Sequence, residues 1–200
     1  MKEIARGAEA VLYRGGGRLV KDRIRKGYRI PELDTRIRRL RTRGEERLLD
    51  RARRAGVNTP SVLESGESRL VMEFIDGGRV KDVFNSMGAK EREDVCRLIG
   101  ESVSRLHSAG IMHGDLTTSN MILKEGKIYI IDFGLGKMSE RSEDQAVDLF
   151  LLFEALKSTH FAYLNEAWQY ILKVYRQNYN RAEEVLKSLE KIEKRRRYKT

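Results

Sequence analysis

His113-Gly114-Asp115-Leu116-Thr117-Thr118-Ser119-Asn120 is followed, twelve residues after Asn120, by Asp132-Phe133-Gly134. The interval is apolar and carries a turn: Met121-Ile122-Leu123, then Glu125-Gly126, then Ile128 to Ile131, which predicts a short hairpin. A tripeptide such as Asp-Phe-Gly carries little information by itself. Two polar segments in this order, at this spacing and joined by such a hairpin, carry a great deal. Outward on the N-terminal side, Val95, Leu98, Ile99, Val103 and Leu106 recur at the i, i+3, i+4 spacing of a helix with one buried face, ended by Gly110. Outward on the C-terminal side the pattern predicts helices over about 143–156, 163–175 and 181–196.

The first part of the chain reads differently. Val11 and Tyr13, Gly15-Gly16-Gly17, and Leu19-Val20 predict a hairpin with a glycine turn. Pro31 then interrupts the chain, and a helix is expected from about 43 to 55, stopped by Gly56. Val62-Leu63 and Leu70 to Ile75 predict two more strands, and Asp76-Gly77-Gly78 forms a break. The expected organisation is a β-rich lobe with one main helix over residues 1–76 and an α-rich lobe with a basic tail over residues 77–200.

The two polar segments resemble the catalytic loop and metal loop of protein kinases. The resemblance implies an α+β, two-lobed protein-kinase-like fold with ATP held between the lobes. ATP brings several negative charges, so a divalent cation such as Mg²⁺ must bridge its phosphates. A hard cation takes oxygen ligands and keeps waters, so one carboxylate and one carboxamide suffice, and Asp132 and Asn120 are expected in those roles. Asp115 is expected to accept a hydrogen bond from the attacking hydroxyl. Most of the rate then comes from positioning and charge neutralisation.

The same resemblance requires a lysine on the third strand and a glutamate on the next helix. Lys21 fits the first. Glu45 and Glu46 compete for the second, and Glu45 is preferred because Leu48 and Leu49 lie three and four residues along, on its side of the helix. The loop expected to cover the phosphates is Gly7, Ala8, Glu9 and Ala10, after Arg6; it has one glycine, but small residues still let backbone N–H groups approach phosphate. Met72 is expected as the gatekeeper, the backbone of Glu73 and Ile75 at the adenine edge, and Ile122 and Ile131 at the base of an apolar pocket. His107 is expected to bond Asp148, which holds the catalytic loop's backbone, and His113 to pack rather than transfer protons. His160 reads as a surface residue.

Only thirteen residues separate Gly134 from Asp148, and both prolines, Pro31 and Pro60, lie in the first lobe. The long activation segment of conventional kinases is therefore absent, and with it the helices that dock extended substrates. Gly114 replaces the usual arginine, so no cation stands ready for an activation-segment phosphate.

At 200 residues one domain, or two small lobes around a cleft, is the expectation, with roughly 70% of the unfolded surface buried on folding. A lone Cys96 excludes an internal disulfide framework and a cysteine zinc site. No apolar run reaches membrane-helix or signal-peptide form, so a cytoplasmic setting with no membrane is expected. The net charge of +10 is concentrated. Residues 18–54 carry 15 basic and 6 acidic side chains, and residues 191–200 carry 6 and 1. Such a distribution suits a polyanionic partner or a solvated basic face.

Beyond the superfamily, the chain resembles the small atypical kinases of the KEOPS complex, the archaeal relatives of PRPK. The resemblance rests on Arg6 to Ala10, Val20-Lys21, Lys26-Gly27-Tyr28-Arg29-Ile30-Pro31-Glu32-Leu33-Asp34, Arg41-Thr42, the two loops with Leu135, Glu143-Asp144 and Ala146 to Leu149. The Lys26 to Asp34 stretch serves no generic kinase purpose and speaks for the family. Membership implies an ATP-dependent Ser/Thr kinase or ATPase, a sugar-kinase-like catalytic partner among other KEOPS subunits, and a role in making threonylcarbamoyladenosine on tRNA. The tail Lys194-Arg195-Arg196-Arg197 would then contact tRNA or the partner. A RIO-type kinase competes, set apart by the intact Asp132-Phe133-Gly134. A small-molecule phosphotransferase also uses a His-Gly-Asp loop but needs a larger C-terminal part than the 68 residues after Asp132. A scaffold without catalysis is disfavoured by the full set Lys21, Glu45, Asp115, Asn120 and Asp132.

Overall fold

Gly16 and Gly17 both take left-handed φ, 59° and 71°, and so turn the chain in two residues. This turn type matches the twist of the strands it joins. The strands are β2 (Ala10–Gly15) and β3 (Arg18–Arg23), preceded by β1 (Lys2–Arg6). With β4 (Val62–Ser65) and β5 (Arg69–Glu73) they form an antiparallel sheet in the order β1-β2-β3-β5-β4. The computed structural model describes residues 1–197, with side chains to Arg195.

Helix α1 (Pro31–Arg54) crosses this sheet on the β4–β5 side. It is almost twice as long as its apolar periodicity predicts, and Pro31 begins it rather than interrupting the chain. Proline suits the first helical position, where its fixed φ is already helical and its missing N–H has no partner to lose. Residues 36–43 supply few apolar side chains, so the first turns of α1 leave no apolar stripe to read. The expected stop at Gly56 is present, with φ 81°.

Beyond β5 the chain passes Gly77, where a Cβ would stand 2.5 Å from the carbonyl oxygen of Leu123, so only glycine fits. There follow β6 (Gly78–Arg79), α2 (Val80–Val83), α3 (Ala89–Ser108), β7 (Ile111–Met112), β8 (Met121–Lys124), β9 (Lys127–Ile130), β10 (Lys137–Met138), α4 (Ser142–Thr159), α5 (Leu164–Asn178) and α6 (Ala182–Arg197). The expected hairpin is β8–β9, extended by β6. α3 packs on α5 and α4 on α6. At Gly100 a Cβ would lie 2.9 Å from the Ile171 carbonyl, so α3 and α5 approach backbone to backbone. β10 pairs with β7, Lys137 opposite Met112 and Met138 opposite Ile111. The chain after Gly134 is thus returned at once to the strand that precedes the 113–120 loop.

One apolar cluster runs through the molecule. It joins Leu48, Leu49 and Leu70 to Ile99, Val103, Leu116 and Phe133, and onward to Leu149, Leu156, Ile171 and Tyr175. The α+β class follows directly: an antiparallel sheet with one helix, then helices around a small hairpin. No helix among the described residues is long and apolar enough to cross a membrane.

Candidate active site

β3 alternates its side chains, so Lys21 and Arg23 share one face. Both are buried and both meet Glu45 of α1. Lys21 Nζ donates to Glu45 Oε1 at 2.7 Å, and Arg23 Nη2 to Glu45 Oε2 at 2.5 Å. Glu46, one residue on, turns away and accepts from Ser65 Oγ at 2.7 Å. Lys21 Nζ also donates to Asp132 Oδ1 at 2.7 Å. Three separate elements therefore converge on one ammonium group.

Asp132 follows β9 with φ 63°, an unusual backbone for a residue with a side chain. Such strain persists only where surrounding bonds fix it. Here the carboxylate takes both the Lys21 ammonium and the Gly134 N–H, the latter at 3.2 Å. Burial works to raise its pKa, but the charge of Lys21 and these two hydrogen bonds prevail and hold it below the usual carboxylate range. It is ionised at neutral pH, and its share in binding a cation is lost only as pH falls through that depressed value. Gly134 is confined as well: a Cβ there would lie 3.3 Å from Lys21 Nζ.

The loop from His113 to Asn120 is held from below. Asp148 of α4 is fully buried and accepts the N–H groups of His113 and Gly114, at 2.6 and 2.8 Å. The N–H of Asp115 donates to His113 Nδ1 at 3.2 Å, so the ring proton sits on Nε2, which donates to the Ile131 carbonyl at 2.9 Å. Both ring nitrogens are thereby committed, and the ring packs on Phe133 with centroids 4.8 Å apart. Asn120 Nδ2 donates to Asp115 Oδ2 at 2.8 Å and to its carbonyl at 2.9 Å, leaving the Asn120 carbonyl oxygen free of that pair. Asp132 and Asn120 together offer oxygen atoms suited to a hard cation.

Two adjoining cavities share Leu12, Lys21 and Asp132 and form one cleft. One, about 430 Å³, is lined by Met72, Glu73, Ile75, Ile122 and Ile131 with Asn120. The other, about 400 Å³, is lined by Gly7, Ala8, Glu9 and Ala10 with Asp115. The residues singled out from sequence for the base and for the phosphates thus line adjacent halves of one space.

A profile of the RIO domain family matches residues 18–151. The chain is 43% identical to the KEOPS complex subunit Bud32 of Pyrococcus abyssi, over all of this chain and 97% of that one. The chain belongs to the Bud32 family. It is also 46% identical over 178 residues to a probable bifunctional tRNA threonylcarbamoyladenosine biosynthesis protein of Methanothermobacter thermautotrophicus, covering 86% of this chain and 32% of that protein. It spans nearly the whole of the Bud32 relative and about a third of the bifunctional one. Among solved structures, the Rio2 kinase of Chaetomium thermophilum superposes with a TM-score of 0.66 at 13% identity, over all of this chain and 72% of that one. WaaP superposes with a TM-score of 0.67 at 17% identity, over 96% and 88%. These show the fold, a minimal kinase-like one.

The RIO match corrects one expectation: the intact Asp132-Phe133-Gly134 does not set this Bud32-family chain apart from RIO domains. Two histidine assignments also change. His107 does not hydrogen-bond Asp148, since its Nε2 stands 3.6 Å away; its Nδ1 instead meets Tyr175 Oη at 2.8 Å. His160 is fully buried rather than at the surface, between Asn85 Oδ1 at 2.7 Å and Thr118 Oγ1 at 3.2 Å, and burial lowers its pKa. It supports the 113–120 loop at Thr118. Arg23 escaped the sequence reading, although its two-residue offset from Lys21 on a strand was a usable signal. Lys194 and Arg195 are exposed on α6, while the side chains of Arg196 and Arg197 lie outside the described residues.

Proposed function

We propose that this Bud32-family chain is an atypical Mg-ATP-dependent phosphotransferase and ATPase, able to phosphorylate Ser/Thr, that acts in a cytoplasmic KEOPS-type assembly supporting threonylcarbamoyladenosine modification of tRNA. The observation that carries the reading is the Lys21 ammonium bridging Glu45 and Asp132 at the seam of the two adjoining cavities. In this reading the half below Met72 takes adenine, with the backbone of Glu73 and Ile75 at its edge. Lys21, kept extended by Glu45, meets the α- and β-phosphates. Asp132 and Asn120 would hold magnesium, which supplies neutralisation of phosphate charge when bound. Asp115, steadied by Asn120, accepts the hydrogen bond of the attacking hydroxyl or water and aligns it. His113 and Asp148 keep the loop in shape, and His107 packs behind Asp148.

Support for the assembly comes from the relatives. The bifunctional proteins carry the segment matching this chain as about a third of their length. A domain fused to another in one protein is a natural partner of that other domain when the two are separate. The sugar-kinase-like catalytic subunit is the partner this reading assigns, with other KEOPS subunits beside it. The basic side chains of α1 and of the tail from Lys194 to Arg197 would meet tRNA phosphates.

The test is release or transfer of the γ-phosphate from Mg-ATP by the purified protein, alone and with the partner and tRNA. Asp132→Asn should lower the rate roughly 100-fold or more, since it removes the carboxylate charge that would hold magnesium against the reacting phosphates. Equal rates in wild type and variant would overturn the assignment.

A further inference from the structure

The stretch Lys26 to Asp34 has no task in the site described so far. Between β3 and α1 it runs beside the loop of residues 7–10, and that loop is fastened at three points. The Ile24 N–H donates to the Glu9 carbonyl at 3.0 Å. Lys26 Nζ donates to the Ala8 carbonyl. Arg41 Nη1, from α1, donates to Glu9 Oε2 at 2.6 Å. The strap has its own anchor in Asp34, fully buried in the first turns of α1. Asp34 Oδ1 accepts the Lys26 N–H at 3.1 Å, Oδ2 accepts Arg38 Nε at 2.7 Å, and Arg29 Nη1 lies 3.6 Å away.

We propose that Lys26 and Asp34 are positioning residues for the phosphates of a bound nucleotide, acting through the Ala8–Glu9 peptide; the proposal rests on the nucleotide reading above. A trans peptide points its C=O and N–H to opposite sides. Lys26 lines neither half of the cleft, whereas Ala8 and Glu9 line one half with Lys21 and Asp132. Holding the Ala8 carbonyl from outside therefore turns the Glu9 N–H inward, where a phosphate oxygen would accept it. A loop rich in glycine adopts such orientations on its own conformational freedom. This loop has only Gly7, and the strap supplies the orientation from outside. Asp34 fixes the strap by holding the Lys26 backbone, so the two residues act in series.

The test compares a nucleotide with phosphates and one without. Binding of Mg-AMP-PNP and of adenosine is measured calorimetrically for wild type, Lys26→Met, Lys26→Arg and Asp34→Asn. Lys26→Met should weaken Mg-AMP-PNP roughly three- to tenfold, the scale of one lost hydrogen bond to the loop. Adenosine affinity and melting temperature should stay unchanged, and Lys26→Arg should restore most of the loss. Asp34→Asn should show the same selective loss together with a lower melting temperature. In nitrogen-15 spectra the Glu9 amide should shift on adding Mg-AMP-PNP to wild type and much less in Lys26→Met. Equal losses for both ligands, or no loss for either, would overturn the strap's role while leaving the nucleotide reading intact. A wild type that binds neither ligand would overturn that reading and this inference with it.

Discussion

Gly114 shows how tightly one residue can be specified. Its φ is 79°, and a Cβ would stand 2.3 Å from the Leu135 carbonyl oxygen. Gly114→Ala should therefore cost at least about 2 kcal/mol in urea unfolding, from left-handed strain and overpacking together; a loss within 0.5 kcal/mol, roughly the surface-substitution range, would contradict this. The arginine that the kinase resemblance leads one to expect here has no room for its Cβ. At this scale the sequence was legible where chemistry dictates spacing, as in Asp115, Asn120 and Asp132. It was not legible for His160. A lone histidine after a helix carries no local mark of burial, and the residues that enclose it, Asn85 and Thr118, stand 75 and 42 positions away.

Helix α1 places two adjacent glutamates in opposite settings. Glu45 is 2% exposed and pairs with both Lys21 and Arg23, while Glu46 faces Ser65 near the surface. Glu45→Gln should destabilise the protein by roughly 3 kcal/mol, because it takes from buried Arg23 the carboxylate it pairs with and leaves Lys21 to Asp132 alone, and should sharply reduce phosphate release. Glu46→Ala should stay within about 0.5 kcal/mol of wild type and keep its activity. Denaturant unfolding and a phosphate assay on the pair of variants decide the matter; similar losses in both would refute the assignment. The helix also shows why sequence boundaries fail. Its C-terminal half announces itself through Leu48, Leu49 and Ala52, which are buried. Its N-terminal half is held by the Asp34–Arg38 pair and by Arg41 reaching Glu9, which leave no apolar stripe to read, and Pro31 reads as a break unless the position it occupies is known.

Across the whole molecule, the order of elements was readable because most strands and helices carry their own local pattern. The pairing of β7 with β10 was not: each strand is two residues long, and the match is long-range. The basic tail belongs to this scale too, since it follows Ile192, which touches the core from α6, and its described residues Lys194 and Arg195 are exposed. Deleting residues 193–200 should leave the melting temperature in place and weaken tRNA binding, with a salt slope shallower by roughly one unit for each phosphate the shortened chain no longer neutralises. Unchanged binding across salt concentrations would assign the tail to solvent alone.

The β7–β10 pair has a consequence for timing. Because the segment after Gly134 is stitched to its neighbour as part of folding, the cleft acquires its working outline when the chain is made. Ordering this segment needs no added phosphate, so the switch that a long unpaired loop would offer is not built into the backbone here.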